Sequence, residues 1–268
     1  MRTLFNSTSE ILKNIRRIWS LAVFQSQSSN KEMFFGGLWK IISPFIQTGI
    51  YWLVFGIGLR SGAPIDGIPY VVWLTCGLTP WYMISKAVGV GASSIYNKAT
   101  VLSRSNISTI LIPVSNVMSV MLDSIWSFVL LIVIYIGNKC SLNFYALNLI
   151  YYVVYAFLFL TNLSLITSVL VMLARDFKRV IELLMRFMFF RSPIFWNPSR
   201  NMPEYFLIFN KYSPFSYIIN GFRDSLLYCK NFYDDIYSML YFIGVLAITY
   251  VIGVFFQGKL RKNLLDFV

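Results

Sequence analysis

Between Ala174 and Trp196 the chain sets seven ionisable side chains into otherwise apolar sequence: Arg175, Asp176, Lys178, Arg179, Glu182, Arg186 and Arg191. The stretch closes at Ser192-Pro193, where proline ends a helix by removing an amide and fixing φ. Two further charges stand inside apolar runs, Lys86 and Asp123. An ionisable group at membrane depth is costly and marks a functional site unless it is paired. Glu182 and Arg186 have i, i+4 spacing, so they either pair on one helix face or leave Arg186 for a ligand. Asp176 and Arg179, at i, i+3, fix the turn between them. Asp123 is available to neutralise a neighbouring cation.

Other chemistries are excluded or weak. The chain contains no histidine, so histidine metal sites and histidine general bases are absent. Cys76, Cys140 and Cys229 are far apart, form no CxxC pair, and read as small apolar fillers. Gly253 to Lys259 fits the glycine and lysine spacing of a phosphate-binding loop. Leu260 replaces the magnesium-binding Ser/Thr, and no strand–loop–helix unit surrounds it. It reads as the end of a membrane helix, so no ATPase, catalytic group or cofactor site is expected on this chain. Asp234-Asp235 falls on the predicted outer side, away from where a sugar-nucleotide enzyme would need metal-binding acids. The sequons at Asn6, Asn106 and Asn162 are cytoplasmic or buried in the expected topology and read as chance.

The elements that must position these charges are set by composition. The 268 residues are 57% hydrophobic and only 13% charged, against about 25% charged in soluble domains. Mean hydropathy is +0.64. This is an integral, all-α membrane protein. The net charge of +12 follows from basic residues gathering at cytoplasmic membrane edges and does not call for nucleic acid. Residues 9–24 predict an amphipathic helix, with Ile11, Leu12, Ile15, Ile18, Trp19, Ala22 and Val23 on one face and Lys13, Arg16 and Arg17 on the other. Such a helix lies in the cytoplasmic interface. No cleavable leader is visible, so insertion is expected to rely on the first span.

Six spans are expected, at about 39–59, 70–92, 109–136, within 140–174, 180–197 and 236–258. Pro44 is expected to kink the first, and Pro80 to bend or break the second. The Gly/Pro-rich 60–69 is a turn. Residues 198–235, interrupted by Pro203 and Pro214, are read as an external or re-entrant hairpin. With both termini in the cytoplasm, fifteen of the 23 Lys and Arg fall inside and seven outside. The whole chain is read as one membrane domain, 1–35 forming the interface region and 36–268 the six-helix part.

The ordered motifs resemble the permease subunits of type-2 ABC exporters, in the branch that exports lipid-linked polysaccharides and wall teichoic acids. Gly37-Leu38-Trp39 with Ser43-Pro44 is similar to that family's approach to its first span. Gly56-Ile-Gly58-Leu-Arg60, Asp66-Gly67-Ile-Pro69-Tyr70-Val-Val-Trp73 and Gly77-Leu-Thr-Pro80-Trp81 resemble the teichoic-acid permeases in particular. Ile112-Pro113-Val114, the pairing of Arg175-Asp176 with Ser192-Pro193, and the basic tail from Lys259 also fit. Tyr212-Ser213-Pro214 departs from the usual Asn-Pro.

The resemblance implies a half-transporter in the cell membrane. Two copies enclose a channel, and two separate ATPase chains dock from the cytoplasm, carrying the ATP and magnesium. Onto this sequence it carries coupling elements at 93–106, centred on Lys98 to Arg104, and at Arg175, Asp176, Lys178 and Arg179. The cargo would be a lipid-linked polymer of cell-wall biogenesis, teichoic acid ahead of O-antigen or capsule. Aromatic faces can hold sugar rings while letting them slide, each contact worth about 1 kcal/mol. Channel candidates are Tyr51, Trp73, Trp81, Tyr82, Trp126, Phe189, Phe190 and Trp196. An anionic polymer or lipid pyrophosphate also needs cations, for which Lys86, Arg186 and Arg191 stand at membrane level. The competing readings are a type-2 permease for a small drug or lipid, and a membrane enzyme or secondary transporter.

Overall fold

A computed structural model describes residues 2–28, 34–59, 62–99, 108–140, 143–197 and 203–263. Every element among them is helical, in the order α1 (Arg2–Lys13), α2 (Ile15–Ser28), α3 (Trp39–Tyr51), α4 (Tyr70–Ala92), α5 (Leu111–Gly137), α6 (Asn148–Leu173), α7 (Asp176–Arg191), α8 (Glu204–Tyr212), α9 (Pro214–Leu226) and α10 (Ile236–Asn263). Four helical stretches are long and apolar enough to cross a membrane: Gly36–Leu59, Leu111–Gly137, Phe144–Leu173 and Ile236–Lys259.

The expected amphipathic helix is two helices. The chain turns at Asn14, whose side-chain amide donates to the Glu10 carbonyl at 2.8 Å. Ile18 and Ala22 are buried, Ile18 against Leu111 and Val114 of α5 and Val254 of α10. Leu12, Ile15 and Trp19 from the same predicted face remain exposed.

α3 runs through Pro44 and continues as a π-helix, Trp52–Leu59. Its apolar window is only 11% buried within the chain. α4 is one unbroken helix through Pro80, so the predicted break does not form. Thr75 and Thr79 donate their hydroxyls to the carbonyls of Val71 and Thr75. Hydroxyls and neighbouring helices of this kind are what make proline tolerable in membrane helices. The turn before α4 closes on Asp66 and Gly67, both at positive φ, with Ile65 and Ile68 exchanging backbone hydrogen bonds.

α4 is the hub. Trp73, Leu74, Leu78, Met83 and Ile84 form the core with Phe159 and Leu160 of α6, Ile218, Ile219 and Phe222 of α9, and Phe242 of α10. α4 and α6 approach so closely that a Cβ on Gly91 would overlap Ser164. Small residues drive such packing where surrounding lipid removes the hydrophobic incentive.

α7 starts and ends before the fifth predicted span does. It begins at Asp176, ends at Arg191 and has no buried residue. At 1.5 Å per residue its 16 residues extend about 24 Å, short of a full crossing of the ~30 Å hydrocarbon core. Ser192 to Phe195 do not prolong it; they fold into the core, with Ser192 and Ile194 fully buried.

Several weak motifs also resolve. Gly253 to Lys259 is helical backbone within α10. Asn162 is buried and donates to Leu246 and Thr249 of α10, the role of a helix-packing residue rather than a sequon. Asp235 caps α10, accepting from the Ser238 amide at 3.1 Å and hydroxyl at 2.6 Å.

Candidate functional site: a groove lined by cations and aromatic rings

Lys86 and Asp123, the two charges inside apolar runs, meet at one point. Asp123, midway along α5, is buried with its side chain 5% exposed. Its Oδ1 accepts from Lys40 Nζ and its Oδ2 from Lys86 Nζ, each at 2.7 Å. Ser26, on α2, donates its hydroxyl to Oδ1 at 2.7 Å. Lys40 also donates to the Ser26 carbonyl and, at 2.9 Å, to its hydroxyl. The cluster thus joins α2, α3, α4 and α5. Leaving a buried carboxylate unpaired would cost several kcal/mol, which explains why three donors converge on it.

This cluster forms part of the lining of a cavity of about 500 Å³, together with Trp39, Ser43, Gln47, Tyr82, Ser85 and Ser127. A second cavity of about 220 Å³ shares Gln47, Tyr82 and Ser85 with the first. It adds Tyr51, Trp81, Met185, Arg186 and Phe189, so the two cavities adjoin across shared residues and together line a groove from α5 to α7. Along it, Trp81 and Tyr51 each lie 5.4 Å from the Phe189 ring, and Thr48 and Tyr82 share a hydroxyl hydrogen bond at 3.2 Å.

Six of the predicted channel residues therefore converge: Tyr51, Trp81, Tyr82, Lys86, Arg186 and Phe189. Arg186 is exposed, and among the described residues no ion pair joins it to Glu182. Phe190 is exposed beside the groove, its ring 5.2 Å from Phe189. The others are elsewhere. Trp126 stands on an exposed face of α5 away from both cavities. Arg191 turns inward, 3.3 Å over the Phe206 ring and hydrogen-bonded to the carbonyls of Tyr205 and Phe206, so it braces α8. Trp196 donates to the Phe190 carbonyl and packs 4.8 Å from Phe206.

Trp73 is a core residue, and it reveals a cation that the sequence reading placed outside. Arg223 of α9 is buried, its guanidinium 3.4 Å over the Trp73 ring. It donates to the carbonyls of Trp73 (3.3 Å), Pro193 and Ile194 (2.9 Å). Among the described residues no carboxylate pairs with it. A Cβ on Gly77 would overlap the guanidinium. Arg223 thus ties the Ser192-Pro193 break to α4. Its one sequence signal was its place beside Ile218, Ile219 and Phe222 at helical spacing.

The two predicted coupling elements also meet. Arg175 lies 4.7 Å over the ring of Tyr96, in the short 3₁₀ turn Tyr96–Lys98. Burial holds the Lys98 ammonium below the usual lysine range. Asp176, Lys178 and Arg179 are exposed beside Arg175. Arg104 lies outside the described residues.

The family profile described as ABC-2 type transporter matches residues 16–227, which spans the groove, the Arg223 clamp and the Arg175 turn. The chain belongs to the ABC-2 type transporter family. Among its curated relatives are two O-antigen export system permease proteins RfbA from Klebsiella pneumoniae. They are 27% and 26% identical over 234 residues, covering 86% of this chain and 87% of each relative. A protein of the same name from Myxococcus xanthus is 23% identical over 177 residues, 66% of each chain. As an ABC-2 permease the chain is a membrane protein whose family works with an ABC ATPase.

Proposed function

We propose that this chain is the membrane subunit of an ATP-driven exporter moving a lipid-linked cell-envelope polysaccharide from the cytoplasmic to the outer side of the plasma membrane. The observation that carries this is the groove: in one ABC-2 permease chain, a lysine–carboxylate cluster and a row of aromatic rings line two adjoining cavities. A small-drug site needs a closed apolar pocket; a sliding sugar chain needs ring faces and an open path. The O-antigen permease relatives support the polysaccharide class. The Gly56–Trp81 motifs favour teichoic acid within it, while those relatives are named for O-antigen, so the proposal stands on the class.

In this reading α3, α4, α5, α6, α7 and α10 make six crossings, with both termini cytoplasmic. α8 and α9 form the hairpin on the outer side; α7 alone is too short to cross, and the non-helical residues 192–196 carry the chain the rest of the way toward it. Two copies pair to close the groove, through the weakly buried faces of α3 and α7. ATP and magnesium stay on two partner ATPases, docking on the Tyr96–Lys98 turn, Arg104 and the Arg175–Arg179 turn. Copurification tests the assembly. Native mass spectrometry should show two copies of this chain with two ATPase chains. A monomer that recruits no ATPase contradicts the proposal.

A further inference from the structure

Asp123 has more cation than it needs. Lys40 spends all three of its donors, on Asp123 and on the carbonyl and hydroxyl of Ser26. With the Ser26 hydroxyl, that already pairs the buried carboxylate. Lys86 is a second ammonium on the same group, and it spends one donor there. Its side chain is 47% exposed, and it forms part of the lining of the larger cavity. The three charges sum to a single net positive, and among the described residues that line the cavity there is no other acid.

The remaining lining is rich in donors. Ser43 accepts from the Gln47 amide at 3.2 Å, which leaves its own proton free for a ligand. Ser127 also lines the cavity. The volume, about 500 Å³, lies in the roughly 300–1,000 Å³ range of small-molecule sites. Donors surrounding one surplus cation fit an oxyanion with several acceptor oxygens. The neighbouring aromatic end of the groove fits what such an anion would be attached to.

We propose that the cavity between α3, α4 and α5 binds a phosphate or pyrophosphate group, held by Lys86 with Ser43, Gln47 and Ser127. Asp123 and Lys40 form the fixed base that sets the position of Lys86. The phosphate would be the junction between a lipid and the first sugar, with the sugars continuing past Tyr82 and Trp81. This rests on the export reading above and adds the place where the cargo's anionic end is recognised.

The test is equilibrium binding of radiolabelled geranylgeranyl diphosphate to the full-length chain, in phosphatidylcholine nanodiscs with the ATPase that accompanies it. Binding should be saturable. Lys86→Met should weaken it at least about tenfold, the value of one hydrogen bond to a charged group, and Lys86→Arg should restore most of it. Lys86→Met leaves Asp123 paired with Lys40, so folding should survive. If it does not, Ser127→Ala and Gln47→Ala carry the test, each weakening binding about threefold. Competition by inorganic pyrophosphate that disappears in Lys86→Met supports recognition of the anion itself. Competition by the diphosphate lipid alone supports a headgroup in its lipid context. Unchanged affinity in folded Lys86→Met, or equal competition by uncharged geranylgeraniol, overturns the proposal. Binding is read without transport. A chain that binds but exports nothing sinks the export reading, and one that exports with binding indifferent to Lys86 sinks this site.

Discussion

At the scale of single residues, the cations divide by what surrounds them. Arg223 is consumed by carbonyls and a ring, Arg191 is held on α8 by two carbonyls and the Phe206 ring, Lys40 is taken up by Ser26 and Asp123, and Arg186 stands open on the groove. Arg186→Ala should therefore lower export roughly tenfold, as loss of one charged contact would, while copurification with the ATPase is unchanged. Collapse of assembly would instead mark it as structural. Arg223→Ala should behave in the opposite way. It strands buried carbonyls at the Ser192-Pro193 turn and should cost about 2–4 kcal/mol, read as a lowered melting temperature in detergent. The charges of this site were partly legible in the sequence. Asp123 inside an apolar run demanded a cation, and Lys86 was singled out as a candidate. Lys40 and Ser26 were missed because their role exists only once α2 docks on α5. Trp73, Trp126 and Trp196 are not among the residues that line the two cavities, because composition says that a ring prefers a membrane edge, not which face of its helix it will occupy.

At the scale of elements, long apolar helices were readable and short charged ones were not. The limits of α4 match the predicted 70–92, because Pro69 sits at the N-cap and the following apolar run has no competing signal. The helix of the fifth predicted span stops short of 197 because hydropathy continues through Ser192-Pro193 while the backbone turns under Arg223. The N-terminal helix divided at Asn14, which periodicity alone does not register. Helix ends make separate predictions. The Asp235 carboxyl is held below the usual carboxylate range, first by the Ser238 hydroxyl and then by its amide. A depressed folded-state value means that the cap stabilises fully above the unfolded value of about 3.9 and is lost as pH falls through the folded one. Asp235→Ala should thus cost about 1 kcal/mol near neutrality. In thermal melts that difference should vanish once the pH is below the folded-state value. Gly91→Leu should separate α4 from α6 and lower the melting temperature, while Gly89→Leu, whose Cβ position is open, should not.

At the scale of the whole molecule, a row of rings and the cations Lys86 and Arg186 are mounted on α3, α4, α5 and α7. Of these, α3 and α7 are weakly buried within the chain. A groove with one unburied wall is half a conduit, which is why the function was legible as a class and the conduit itself was not. In the proposed assembly its other wall comes from a second copy and its energy from an ABC ATPase. The central claim is tested by ATP-driven translocation in proteoliposomes holding this permease and its ATPase, loaded on the ATPase side with a lipid-linked polysaccharide. The account predicts that the sugar becomes accessible to an enzyme confined to the opposite side only when ATP is hydrolysed, and that Trp81→Ala slows this without lowering ATPase recruitment. Polysaccharide that stays inaccessible while the assembled complex hydrolyses ATP would contradict it.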